Sequence, residues 1–376
     1  MAKSSNNPPS LSQACALTPA PPETKSAEVM SGINSCKALV NSDLTGNIAG
    51  RAGGAIETNT PNVLTITNVT FDGNQATGTP GNGGALHNTG ISDTNVTGST
   101  FINNIAGSEG GALWNQAGGT MTVNASTVTG NEAQGNDSSN GGGGLFNNGG
   151  TLIVSGATLV NNNSATGTSG SGGGILNVNG GILSVTDTDI LGNSASRAGG
   201  GIEDNSTVDL GDGALVGSVT LFGVQLNNNI AGSAPGNGGG LHLTGGADSN
   251  ITSSVINGNT ASNEGGGVWN GSGVMTISLT TIDGNTANGA AATNGGGGIF
   301  NNASGTINLN TSTVSNNVST GAAAQGGGIH NKATTTLNVT ASTISGNTSA
   351  SNGGGIYNNG TASILNATIA NNTATA

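Results

Sequence analysis

Few residues in this chain have the means to do chemistry. There are three histidines (His87, His242, His330), two tryptophans (Trp114, Trp269), two cysteines (Cys15, Cys36), and eighteen acidic against six basic side chains in 376 residues. The acids gather once, at Glu203, Asp204, Asp209 and Asp212. Carboxylates close together are what a calcium ion or a glycoside hydrolase uses. These four are therefore the candidate calcium ligands, and the plainer reading is a set of solvated loop acids. An enzyme acting on acidic polysaccharide would also need cations to hold uronate groups, yet Arg51 and Arg197 each stand alone in the sequence. No Ser-His-Asp, P-loop or zinc spacing is present. These residues predict no catalytic centre and no cofactor. Cys15 and Cys36 lie in or near a non-repetitive N-terminal part, where one disulfide in an oxidising compartment and two free thiols stand as equal alternatives.

What must position these residues is a repeat. Glycine pairs or triplets followed by an aliphatic residue begin at Gly53, Gly83, Gly110, Gly142, Gly172, Gly199, Gly238, Gly265, Gly296, Gly326 and Gly353, at spacings of 27 to 39 residues. Each unit carries a second mark, an asparagine: Asn47, Asn74, Asn104, Asn131, Asn163, Asn193, Asn229, Asn259, Asn285, Asn317, Asn347 and Asn372. Three places before each stands an apolar residue, from Leu44 to Ile369, and two places after it stands Ala or Ser. A fixed period in this range means one supersecondary unit stacked on copies of itself.

Seventy glycines and 33% hydrophobic residues would read as disorder in an aperiodic chain, but the period overrides that. Thr, Val, Ile, Asn and Gly dominate while helix formers are scarce, so the unit is strands and turns. The chain is predicted to be an all-β, right-handed parallel β-helix of about twelve coils with three short strands per coil. At the strand spacing this makes a rod on the order of 55 Å long. Residues 1–30 form a proline-containing arm or cap, and 31–376 the repeat domain. A formal charge of −12 without a basic stripe excludes nucleic acid as a partner, and the longest apolar run is too short for a membrane span.

Strand parity assigns faces. Ile56 points inward, Glu57 outward and Thr58 inward. By this rule the repeat asparagines Asn74, Asn104, Asn131, Asn163, Asn193, Asn259, Asn285, Asn317 and Asn347 form an interior structural ladder, bonding amide to amide along the axis. The place after the inward aliphatic reads Glu57, His87, Trp114, Phe146, Leu176, then Glu203, His242, Trp269, Phe300, His330, Tyr357. His, Trp and Phe recur about 155 residues apart, so a five-coil block has been duplicated. His87, Trp114, Phe146, His242, Trp269, Phe300, His330 and Tyr357 are expected as an outward stripe. Such a stripe is either a stack shielding the glycine-rich backbone or a platform for sugar rings or another rod.

At GGAI (Gly53 to Ile56), FDGN (Phe71 to Asn74) and FINN (Phe101 to Asn104), the chain resembles the polymorphic outer-membrane-protein repeats of autotransporter passengers. It also resembles the broader bacterial right-handed parallel β-helix surface proteins, over residues 31–376. The resemblance implies an exported, non-catalytic, adhesive or structural rod. This sequence shows neither the C-terminal membrane barrel of that plan nor a secretory signal in Met1 to Ser10. The expected location is extracellular or at the cell surface. The final coil, Ala362 to Ala376, has nothing to cover its open edge, and exposed edges recruit strands. End-to-end association with other copies through this coil and the N-terminal segment is the favoured reading. A carbohydrate-binding adhesin using surface polysaccharide comes second, and a polysaccharide-degrading β-helix enzyme third.

Overall fold

A computed structural model describes residues 30–31, 38–58, 63–205, 208–209, 215–216, 218–233 and 235–375. The chain is an all-β parallel solenoid. Four sheets run along it with twelve strands in each, and neighbouring strands in a sheet come from successive coils. One coil contains Leu86–Asn88 in sheet 1, Asp93–Thr97 in sheet 2, Thr100–Ile102 in sheet 3 and Ile105–Ala106 in sheet 4. The expectation of three strands per coil is corrected by that two-residue fourth strand. The Ala or Ser after each repeat asparagine is not part of a turn but the inward residue of sheet 4, at a corner with room for only a small side chain. Met30 and Ser31 already pair with Ile56 and Glu57 in sheet 1. The rest of the N-terminal arm, with Cys15 and Cys36, lies outside the described residues.

The five-residue strands of sheet 2 alternate as a half-buried strand should. In Thr120–Asn124, Met121 and Val123 are buried and the residues between them are not. Parallel register puts like over like: Met121 pairs with Thr94 and Leu152, and Val123 with Val96 and Val154. The apolar columns of sheets 1, 2 and 3 merge into one core running from Leu39 to Ile344. Within it the Phe71 and Phe101 rings stack at 4.5 Å with 5° between their planes.

Left-handed backbone recurs at other corners too, even at Ala125, Ser253 and Leu279 between sheets 2 and 3, but two corners select the residue that adopts it. The residue before each repeat asparagine turns the chain from sheet 3 to sheet 4 in the left-handed region, with φ between 52° at Asn162 and 67° at Gly346. Only Gly or Asn stands there, the residues that tolerate this conformation. The first glycine of each pair entering sheet 1 also has positive φ, from 58° at Gly53 to 70° at Gly326. The second is dictated by close approach, since a Cβ on Gly84 would lie 2.0 Å from the Gly111 carbonyl oxygen.

The asparagines after the first corner form a continuous ladder. Asn131 donates its backbone N–H and its Nδ2 to Asn163 Oδ1, at 3.0 and 2.9 Å, and its second Nδ2 hydrogen to the Phe101 carbonyl at 3.0 Å. Its own Oδ1 accepts the same pair from Asn104. The pattern repeats from Asn47 to Asn372, and the members from Asn74 to Asn347 have no exposed surface. A second ladder lies on sheet 1, where Asn88, Asn115, Asn147 and Asn177 pass Nδ2 to Oδ1 at 2.7 to 2.9 Å.

Replacing Asn193 by Leu leaves the Asn163 N–H without its acceptor and takes one bond from the Asn163 Nδ2, which keeps the Val128 carbonyl, and one from the Val160 carbonyl. At about 1 to 3 kcal/mol per buried unsatisfied group the loss should be at least about 1 kcal/mol. Denaturant unfolding should show it, while Asn250→Leu, on the exposed face of sheet 2, moves the midpoint little.

Candidate functional site

The stripe residue directly follows the core aliphatic of sheet 1, so the pleat turns it away from the core. The expectation that it then meets solvent is overturned. His87, Trp114, Phe146, His242, Phe300 and His330 are each at most 4% exposed, and Trp269 is 8% exposed. Tyr357 alone among them is partly open. The cause is the segment joining sheet 4 to sheet 1, which doubles back over the stripe at the positive-φ glycine. A Cβ on Gly110 would sit 3.2 Å from Phe146 Cβ, and one on Gly265 3.0 Å from Trp269 Cβ. Glycine is therefore the lid as well as the turn. Beneath it Trp114, Phe146, Leu176 and Val178 form a second apolar cluster, separate from the main core.

Along this covered column the rings stack. His87 lies 4.1 Å from Trp114, and Trp114 is 6.1 Å from Phe146. His242, Trp269 and Phe300 repeat the succession at 4.4 and 6.3 Å, the first pair tilted by 33°, and His330 and Tyr357 extend the column at 4.8 and 5.1 Å by tilted and edge-on contacts at 60° and 79°. The indole N–H groups also point inward. Trp114 Nε1 donates to Glu109 Oε2 at 2.9 Å while Asn140 Nδ2 holds the other oxygen at 2.9 Å. Trp269, Glu264 and Asn294 repeat this at 3.0 Å for both bonds. Burial and these internal bonds leave no flat aromatic platform for a sugar ring.

The arginines are not alone, contrary to the sequence reading. Arg51 Nη1 is 2.9 Å from Glu57 Oε1, and His87 Nδ1 is 3.8 Å from that oxygen. Thr89 Oγ1 lies 2.7 Å from the same His87 nitrogen. Arg197, Glu203, His242 and Thr244 reproduce the group: 2.7 Å for the Arg–Glu pair, 3.5 Å from His242 to Glu203 and 3.0 Å from Thr244 to His242. The copies differ in exposure. The Arg51 side chain is 59% exposed, whereas the Glu203 side chain has no exposed surface. The signal that would have found both groups was present as two near-identical pairs of strings, RAGG-A/G-IE from Arg51 and Arg197 and PGNGG from Pro80 and Pro235.

Burial, followed by the nearby Arg51 charge, lowers His87 to about 3. Burial likewise takes His330 to about 4, with Lys332 acting in the same direction and backbone hydrogen bonds opposing it. Burial alone would raise Glu203, but His242 and Arg197 hold its carboxyl below the ordinary range. Glu109 is raised by burial, against the bonds from Trp114 and Asn140.

The calcium candidate is taken apart by strand parity. Adjacent in Ile202–Asn205, Glu203 and Asp204 point to opposite faces: Glu203 pairs with Arg197 under the lid, and Asp204 accepts Asn177 Nδ2 at 2.7 Å inside the ladder. Asp209 sits in a short strand, Val208–Asp209, antiparallel to Leu215–Val216, and Asp212 lies outside the described residues. Among the described residues no three His, Cys, Asp or Glu converge on a metal position. A shallow cavity of about 170 Å³ at the corner between sheets 1 and 2 is lined by Gly118, Gly119, Thr120, Gly149, Gly150, Thr151, Gly180 and Ile182, with no titratable group.

Together these features define a parallel β-solenoid repeat protein whose histidines, tryptophans and paired glutamates, among the described residues, are engaged in internal contacts. In family comparison, residues 68–89, 98–116 and 341–359 match the Chlamydia polymorphic membrane protein repeat. Each match runs from the turn before a sheet 3 strand, through the ladder asparagine and the glycine lid, to the end of the sheet 1 strand. No curated protein and no solved structure matches the chain.

His87 and His330 are neutral in the fold at pH values where an unfolded histidine is charged. Their contribution to stability is therefore complete above about pH 6.5 and is lost as pH falls toward their folded values of about 3 and about 4. Glu109, shifted upward, works in the opposite sense. The stability of the parent should fall relative to a His87→Phe, His330→Phe variant as pH drops from 6.5 to 4, checked by thermal unfolding at fixed ionic strength.

Proposed function

We propose that the chain is a non-catalytic structural solenoid of a bacterial surface or outer membrane. The observation that carries this is the coincidence of three polymorphic membrane protein repeat matches with three complete lid-and-ladder units. The covered histidines and acids support it, since they are engaged in internal contacts and are not open to a bound substrate. The same burial disfavours the adhesin reading based on an aromatic platform. No helix among the described residues is long and apolar enough to cross a membrane, a statement that does not bear on a β-barrel.

End-to-end self-association is the finer part of the proposal, and two observations favour it. Ile364 and Ile369 are each 47% exposed where their counterparts in earlier coils, Val339 and Ile344, are buried. The ladder is also directional. Each asparagine donates forward, so the donors of Asn372 face the position where a carboxamide of a following parallel coil would stand. A second copy added in the same direction continues the ladder, and one added head to head does not.

Protease treatment of intact cells of the native host should remove the protein. Protection until the cells are broken would sink the surface assignment. For association, sedimentation velocity over rising concentration should show end-to-end species that disappear in Ile364→Asp, Ile369→Asp. A single species at all concentrations in the parent would remove self-association and leave the structural solenoid intact.

A further inference from the structure

At the end of sheet 1, as the chain turns toward sheet 2, a hydroxyl, an imidazole and a carboxamide meet. His87 pairs in register with Trp114 and Asn88 with Asn115, so the next residues, Thr89 and Gln116, are neighbours on consecutive coils. Paired residues of adjacent parallel strands share a face at about 4.8 Å. Thr89 Oγ1 lies 2.7 Å from His87 Nδ1, and Gly90 N–H donates to Gln116 Oε1 at 3.1 Å. That last bond folds the Gln116 side chain back along its neighbour and polarises its carbonyl at the residue next to Thr89. Thr89 is partly open to solvent, not sealed in the core.

We propose that Thr89 and Gln116 are joined by an intramolecular ester bond. Thr89 Oγ1 attacks Gln116 Cδ while its proton passes to His87 Nδ1. The Cδ–Nε2 bond then breaks, and the amide nitrogen leaves as ammonia after taking that proton from the imidazolium. Hydroxyl and carboxamide become ester and ammonia, with no oxidant and no other reactant. Gly90 N–H is placed to donate to the oxyanion as the tetrahedral carbon forms. Glu57 Oε1, 3.8 Å from His87 Nδ1, faces the transient imidazolium, with Arg51 beyond it on the same carboxylate. Glu109, in the coil carrying Trp114, is held by Trp114 and Asn140 and takes no part.

Burial keeps the His87 ring neutral, so its nitrogen can accept the proton at neutral pH, and the same burial makes it a weak base. The reaction is accordingly a slow, single maturation step in which held geometry does most of the work. The duplicated block is an internal control. Thr244 meets His242 as Thr89 meets His87, and it also donates to Glu203 Oε1 at 3.1 Å, but the residue following Asn270 in the next coil is Gly271, where the first block has Gln116. Glycine has no carbonyl carbon in its side chain to attack, so one bond forms per chain.

The test is the intact mass of the purified full-length chain. The expected value is below the sequence mass by one ammonia, with a digest that yields the Thr89 and Gln116 peptides as one linked species that hydroxylamine cleaves. Thr89→Val and Gln116→Leu should each restore the full sequence mass with an unchanged β circular dichroism spectrum, and Thr244→Val should leave the ammonia loss in place. A parent at full sequence mass overturns the proposal. So does an ammonia loss that persists in Thr89→Val, which would assign it to an asparagine succinimide elsewhere.

Discussion

The constraint on which this molecule depends is that a carboxamide carried from coil to coil must accept and donate at once. The Oδ1 of each ladder asparagine takes the backbone N–H and the Nδ2 of the coil before. Its Nδ2 returns one hydrogen to a carbonyl behind and passes the other ahead. Aspartate can do only the first half. The sheet 1 ladder shows the consequence at Asp204, which accepts Asn177 but has no amide hydrogen to hand on. The next coil has Leu243 at that place, and after it Asn270 Oδ1 is buried without a hydrogen-bond donor. Buried polar networks are costly when half satisfied, so this column resumes as a fresh stretch from Asn270 to Asn358.

Glycine content, which in an aperiodic chain would signal disorder, here sets how closely the coils approach. The first glycine of each pair supplies the left-handed turn, and the second lets one backbone pass over the next at a distance no Cβ would permit. The lid made in this way converts an outward stripe into a second, smaller core. Length variation in the segment before the lid has a compensating logic. In the short Trp114 and Trp269 units a glutamate, Glu109 or Glu264, closes the gap, and the longer segment of the next coil sends Asn140 or Asn294 across to hold it.

Much of this was legible in the residues themselves. Period, parity and the recurrent asparagine give the parallel stack and its inward columns, because each is a local rule applied a dozen times. The fourth strand was hidden because two residues are too few to show alternation. The covering of the stripe was hidden for another reason. Parity says which way His87 or Trp114 points from its own strand, but not what another part of the coil lays over it. The Arg51–Glu57 and Arg197–Glu203 pairs join residues six apart across that same fold-back. They appear in the sequence only as matching strings at the heads of the two blocks.

The duplication of five coils has a consequence for how such a molecule changes length over evolutionary time. Because every coil presents the same repeat-asparagine donors ahead and acceptors behind, whole coils can be gained or lost without that ladder changing its pattern of partners. A fraction of a coil has no such freedom and must be diverted outward at a corner, as the antiparallel Val208–Asp209 and Leu215–Val216 pair is. Reach is thus a heritable quantity that moves in discrete steps, independent of the stability of any one step.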